Sequence, residues 1–382
     1  MAASPLTIQS TPPRNPLQIK EQPDKDQGFP IAADDTNGGL SSVIEVQIDP
    51  DGDLTLRAGQ QTDKPERLFH VCASALRRSS QVWKKMLFGP FKESKPAFGP
   101  WVVNLPEDDP EALEIILNII HANFPLVPNT PDLFELYEIF QMANKYDMIP
   151  ALKPWAVSWL HVAENCQKGT NRFEGRERAA LSYVAWELGQ VELHRQMVKE
   201  LIMYSSLSED ERMVSQKVLL DDVGPIGPPG LLEILHRQRE DIINILPLQI
   251  NSVIRELMFN DGCCVDKRAT CEDRKHCNFI ILGSLMRGMG DTSGGVGLEV
   301  KCDRMEAVAS FMDRIRSIAN EICFHDGHTT RCNPGPKIQF MLKKITKGRI
   351  VKLTKSSIQK MEQRREEFGL GPERARTPEE LS

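Results

Sequence analysis

The sequence opens without the basic-then-apolar layout of a secretory signal; its first residues read MAASPLTIQSTPPRNPLQ. No run approaches the roughly 18 apolar residues that would span a bilayer. These two absences predict a soluble intracellular chain, cytoplasmic or nuclear, with no membrane partner and with its thiols kept reduced. Residues 1–39 hold no Trp, Tyr or Cys but six prolines. Such a segment buries too little apolar surface to offset its ordering entropy, so 1–41 is expected to be disordered. Catalytic signatures are missing as well: there is no Gly-x-Ser-x-Gly and no His-Glu-x-x-His. GMGDTSGGVG (288–297) is glycine-rich, yet no Lys-Ser or Lys-Thr follows, and it reads as a flexible loop. The acidic pairs Asp108-Asp109 and Glu111/Glu114 sit where capping and the helix dipole favour carboxylates, which excludes them as obvious acid–base partners. The chain is read as a non-enzyme with no small-molecule substrate.

What is present is an ordinary globular composition, with 40% hydrophobic and 26% charged residues over 382 positions. That length suits about two domains at roughly 100–200 residues each. The net charge of -6 is unevenly placed, because Lys337 to Met361 carries eight basic residues and no acidic one. The stretch interleaves charge with Ile338, Phe340, Leu342, Ile345, Ile350, Val351 and Leu353. A solvated edge of a helical domain explains it most simply; an acidic partner, nucleic acid or an import receptor are the alternatives. The lack of clustered aromatics argues against nucleic acid.

Structure is expected to begin at SSVIEVQIDPDGDLTLRAG, where Val43, Glu45 and Gln47 alternate with Ile44, Val46 and Ile48 before an Asp-Pro-Asp-Gly-Asp turn. This predicts a β-hairpin with Leu54–Arg57, and RLFHV adds a third strand. Two short helices follow over 73–88, then a strand at WVVNL. Asp109 and Pro110 mark the start of a helix whose Leu113, Ile116, Leu117 and Ile120 share one face. Thr130 and Pro131 mark the next, lined by Leu133, Leu136, Tyr137 and Phe140. A third helix spans IPALKPWAVSWLHVAEN. Beyond the polar hinge QKGTNRFEGRER the pattern reads as helical only, with a break near Gly189 and a long helix that Pro247 should kink or break. The spacing of Trp155 and Trp159 assigns tryptophan to packing.

This order resembles the BTB/POZ domain. The resemblance rests on DGDLTLRAG (51–59), RLFHVCASALRRSSQVWKKML (67–87), WVVNLPEDDPEALEIILNIIHAN (101–123) and LFELYEIFQMANKYDM (133–148), in that order. SYVAWELGQVELHRQMVKELI (182–202) and GPPGLLEILHRQREDIIN (227–244) look like the helical extension of BTB proteins from filamentous fungi. The expected organisation is a disordered 1–41, a BTB/POZ-like domain over 42–163, a helical domain over 164–260, a Cys-rich region over 261–336 and a basic, partly helical tail over 337–382. The fold class is α+β, continued by a mainly helical C-terminal part. The resemblance implies protein–protein contacts, either self-association or adaptor work for a cullin-type ubiquitin-ligase scaffold. Val102, Leu105, Glu107, Asp108, Tyr137, Phe140, Lys145 and Tyr146 are the candidate partner-binding residues. A nuclear, transcription-associated regulator that uses its basic tail is the alternative.

Seven cysteines fall between 263 and 332, ending in CFHDGHTTRC. Cys264, Cys271, Cys277, His325, His328 and Cys332 supply soft ligands for a tetrahedral zinc. The spacing is wider than a zinc knuckle, since six and five residues separate Cys264, Cys271 and Cys277. Buried reduced thiols, a structural zinc and a reactive Cys323 beside His325 therefore all remain open, and no other cofactor is expected.

Overall fold

The computed structural model describes residues 43–168, 174–259, 264, 268–293, 300–323, 332–348 and 353–373. The segment expected to be disordered, 1–41, lies outside them.

The first sheet is built on β2 (Leu54–Ala58), whose Leu54, Leu56 and Ala58 are buried on one face. Its order is β1-β3-β2-β4. The expected hairpin does not close: β3 (Arg67–Val71) lies between β1 (Ile44–Gln47) and β2, parallel to β1 and antiparallel to β2. Burial explains the order. β3 hides Phe69 and Val71, whereas Ile44 of β1 and Val43 just before it are exposed, which suits an edge. β4 (Val102–Leu105) pairs in parallel with β2 and forms the opposite edge.

Between β3 and β4 come α1 (Ala73–Ser79) and α2 (Gln81–Phe88), with Ser80 Oγ capping α2 by accepting from the Val82 and Trp83 N–H groups. α3 (Pro110–Ile120) starts as the sequence predicts: Asp109 Oδ1 accepts from Glu111 and Ala112 N–H at 3.0 and 2.9 Å. α4 (Leu133–Lys145) starts at Asp132 rather than at Thr130. Asp132 forms a reciprocal capping box with Glu135, satisfying backbone donors at both positions. A 3-10 stretch, Ile149–Trp155, precedes α5 (Ala156–Lys168), because Pro150 and Pro154 cannot donate to a regular α ladder.

α6 (Gly175–Glu187) and α7 (Val191–Tyr204) flank Gly189, whose φ of +68° makes the break. The next residues, expected to be helical, instead form a small antiparallel sheet of β5 (Ser205–Leu207), β6 (Met213–Ser215) and β7 (Val218–Leu219). α8 (Leu231–Phe259) continues through Pro247 without a break. By length and a mean hydropathy of 1.2, α8 could cross a membrane. In this fold its Leu235, Ile242, Leu246 and Ile250 are buried, and it packs on α7, α9 (Cys271–Ser293) and α11 (Gly335–Gly348). Fully buried Arg239 of α8 donates to the Ser205, Arg304 and Glu306 carbonyls, which ties β5 to the segment before α10 (Val308–Asn320). The glycine-rich stretch at 288–297 is helical as far as Ser293, a correction to the loop expected there.

The architecture is α+β, and its apolar core falls into two clusters. One joins the first sheet to α1–α7; the other joins the end of α7 to α8–α11. α12 (Lys355–Phe368) returns to the first cluster through Met361 and Phe368. All five tryptophans are buried, and Trp155 stacks on Trp159. Each fully buried large apolar side chain contributes roughly 1.5–3 kcal/mol. In the basic stretch after Lys337, Ile338, Leu342 and Ile345 of α11 turn into the second core, while Ile350 and Val351 lie outside the described residues.

Candidate functional site

Asp108 follows β4 and is almost fully buried. Its carboxylate accepts from the Tyr146 hydroxyl and the Lys145 ammonium at the end of α4. Tyr146 stacks on Trp83 with ring centroids 4.0 Å apart, and its carbonyl accepts from Ser80 Oγ. Residues from α2, the β4–α3 turn and α4 are thus locked together. Three conditions met in one side chain explain this: a buried charge, an ammonium partner and a hydroxyl partner. Burial drives the Tyr146 phenol well above its ordinary pKa, reinforced by the neighbouring Asp108 charge.

Beside this cluster opens a cleft of about 1050 Å³. Its lining is drawn from Glu107 and Asp108, from Glu138, Gln141, Asn144 and Lys145, from the Gly-Pro-rich segment 224–230, and from Lys360 and Arg364 of α12. Tyr137 of α4 anchors that segment, its hydroxyl lying 3.0 Å from both the Val223 and Pro225 carbonyls and sharing its one proton between them. Burial pushes the Tyr137 phenol upward. Tyr183, Trp186 and Glu187 of α6 also line the cleft. Glu187 is fully buried and ion-paired to Arg364 of α12, whose own pKa is pulled down by burial.

The lining carries eight carboxylates against three cations, so the cleft favours basic groups. Among the described residues its lining includes no serine, cysteine or histidine, and two of its carboxylates, Asp109 and Glu138, are already engaged by Lys64. The arrangement can hold a cationic segment.

Of the eight sequence-chosen partner residues, Val102, Glu107 and Lys145 reach the surface. Leu105, Asp108, Tyr137, Phe140 and Tyr146 are buried, Asp108 while still lining the cleft. The structure brings Glu107, Asp108, Lys145 and Tyr146 together and puts Phe140 in the core against Trp159 and Phe368. Sequence reasoning missed Glu187, Arg364 and the 224–230 segment. A glutamate directly after Trp186 in a helix otherwise rich in buried residues was the one available signal.

Around β4 lies a second feature. Phe91 (54% exposed), Phe98 (93%) and Val102 (47%) stand out on the loop and edge strand that follow α2.

The cysteine block narrows. Cys264, Cys277 and Cys332 are buried, and their Sγ atoms all lie within 4.8 Å of one another. Cys277 sits on the inner face of α9, one turn before buried Ile281. Cys271 does not join them: six residues earlier on the same helix, it points elsewhere and is exposed. His325 and His328 lie outside the described residues. Cys323 is exposed, and Cys302 is half-buried with its thiol pushed up to about 11 by burial. A cluster of three buried thiols could hold a metal ion.

Comparison with protein-family models, with curated proteins and with solved structures found no match to this chain.

Proposed function

We propose that the chain is a non-enzymatic protein–protein interaction module of BTB/POZ-like architecture. It associates with itself or acts as an adaptor, for instance for a cullin-type ubiquitin-ligase scaffold. The observation that carries this reading is the open edge at β4. Among the described residues the strand pairs on one side only, and its Val102 and the nearby Phe91 and Phe98 expose apolar surface. Unpaired strand edges and clustered apolar surface are what a partner covers. The acidic cleft, reached through Glu107 and Lys145, supplies a second surface suited to a client's basic segment. A metal at the cysteine cluster would be a structural zinc that serves the fold.

Less supports a nuclear regulator that reads nucleic acid through its tail. Lys337 pairs with Glu256, Arg364 with Glu187, and Arg365 donates to the Gly371 carbonyl, so these cations are engaged within the fold.

The test uses full-length protein carrying Phe98→Asp and Val102→Asp, both at exposed positions. Wild type is expected to dimerise in light scattering or to recover a ubiquitin-ligase scaffold in affinity purification with mass spectrometry. The double variant is expected to lose that association at an unchanged thermal midpoint. A monomeric wild type that recovers no such scaffold removes the proposal.

A further inference from the structure

We propose that Cys264, Cys277 and Cys332 bind one Zn²⁺, which clamps three distant parts of the second core. Cys264 follows α8, Cys277 belongs to α9 and Cys332 precedes α11. Residues so separated in sequence converge only in the folded state, so an ion bound there stabilises that state alone. The sulfur separations suit the ion. Tetrahedral zinc with bonds of about 2.3 Å spaces its sulfurs by about 3.8 Å. Cys332 and Cys264 lie 4.0 Å apart, and all three sulfurs fall within 4.8 Å. Closing from these distances needs sub-ångström side-chain shifts.

Two other uses of the thiols fit less well. A disulfide needs sulfurs about 2.05 Å apart and engages only two of the three. Reduced thiols account for the single Cys332-to-Cys264 S–H···S contact, whereas here three sulfurs converge on one point. Thiolates are soft donors, which selects zinc over magnesium or calcium. Binding deprotonates each thiol and releases the protons to solvent, so zinc affinity falls as pH falls. Three thiolates leave one tetrahedral position for a further ligand. Exposed Cys271 and Cys323 take no part.

The experiment measures metal content of full-length protein purified without chelator, followed by Co²⁺ titration read by thiolate-to-cobalt charge-transfer absorbance. The expected result is one zinc per chain in wild type and in Cys271→Ser, and its loss in Cys277→Ser and Cys332→Ser. Because Cys277→Ser removes a core side chain and could simply misfold, a second measurement uses wild type only. Maleimide labelling read by mass spectrometry should find the three buried thiols protected in the native protein and labelled after chelation. Folded wild type that binds neither Zn²⁺ nor Co²⁺ overturns the proposal. So does labelling of these thiols that chelation leaves unchanged, or a native Cys264–Cys332 disulfide.

Discussion

His194 shows how one buried side chain can set a pH limit. It lies fully inside the interface of α6 and α7, with Nδ1 2.9 Å from the Ser182 carbonyl, so Nδ1 carries the proton and donates. Nε2 finds no donor among the described residues. A proton there would place an unpaired charge in the core, and burial pulls the pKa from 6.5 down to about 4. The unfolded chain therefore binds a proton more readily than the folded one between these values. Stability is complete above the unfolded pKa and declines as pH falls from 6.5 toward 4, by about 3 kcal/mol in all. His194→Gln keeps an amide donor for Ser182 and does not titrate. Urea unfolding of the two proteins at several pH values should show that part of the acid slope in wild type and its loss in the variant; equal slopes would assign the acid sensitivity elsewhere.

At the level of elements, the turn between α6 and α7 depends on a residue without a side chain. A Cβ at Gly189 would lie 2.2 Å from the Met361 carbonyl of α12, and φ there is +68°. Gly189→Ala is thus expected to strain the turn and push α12 off its seat, destabilising the protein by more than about 1 kcal/mol. Hydrogen exchange should accelerate in Lys355–Phe368 while β2 and β3 stay protected; unchanged exchange in α12 would refute the close approach. The sequence made the break at Gly189 legible, because a glycine interrupts a helical period there. It likewise made α3 legible through Asp109-Pro110 and the existence of β2, β3 and β4 through their apolar residues. Pairing was not legible: placing β3 between β1 and β2 is a non-local choice made by burial, and a local turn signal suggested a hairpin. The β5–β7 sheet escaped because strands of two or three residues are too short to show alternation. Cys264, Cys277 and Cys332 were individually visible, but nothing in their spacing separated them from Cys271; the helical phase of α9 did. Glu187 and Arg364 pair from positions whose meeting no sequence period encodes.

Across the whole molecule the chain crosses from the first core to the second and then comes back. α7 supplies Leu193 and Met197 to one cluster and Val198, Leu201 and Ile202 to the other. α12 closes the circuit: Met361 and Phe368 enter the first cluster, Phe368 meeting Phe140 at a ring distance of 6.4 Å. Glu373 just beyond it accepts from the Val191 and Glu192 N–H groups at the start of α7. A helix dominated by polar residues is therefore part of the core of residues far earlier in the sequence. Phe368→Ala should cost about 3–5 kcal/mol, as for other buried aromatic truncations. Because α7 serves both clusters, the loss should lower one shared calorimetric transition. Two separate transitions, with only the first displaced, would mean that the clusters unfold independently and that α7 does not couple them. The same variant loosens α12 beside the cleft, which Lys360 and Arg364 line. Client binding that depends on the acidic cleft should weaken in Phe368→Ala, whereas association through the β4 edge, formed without α12, should persist.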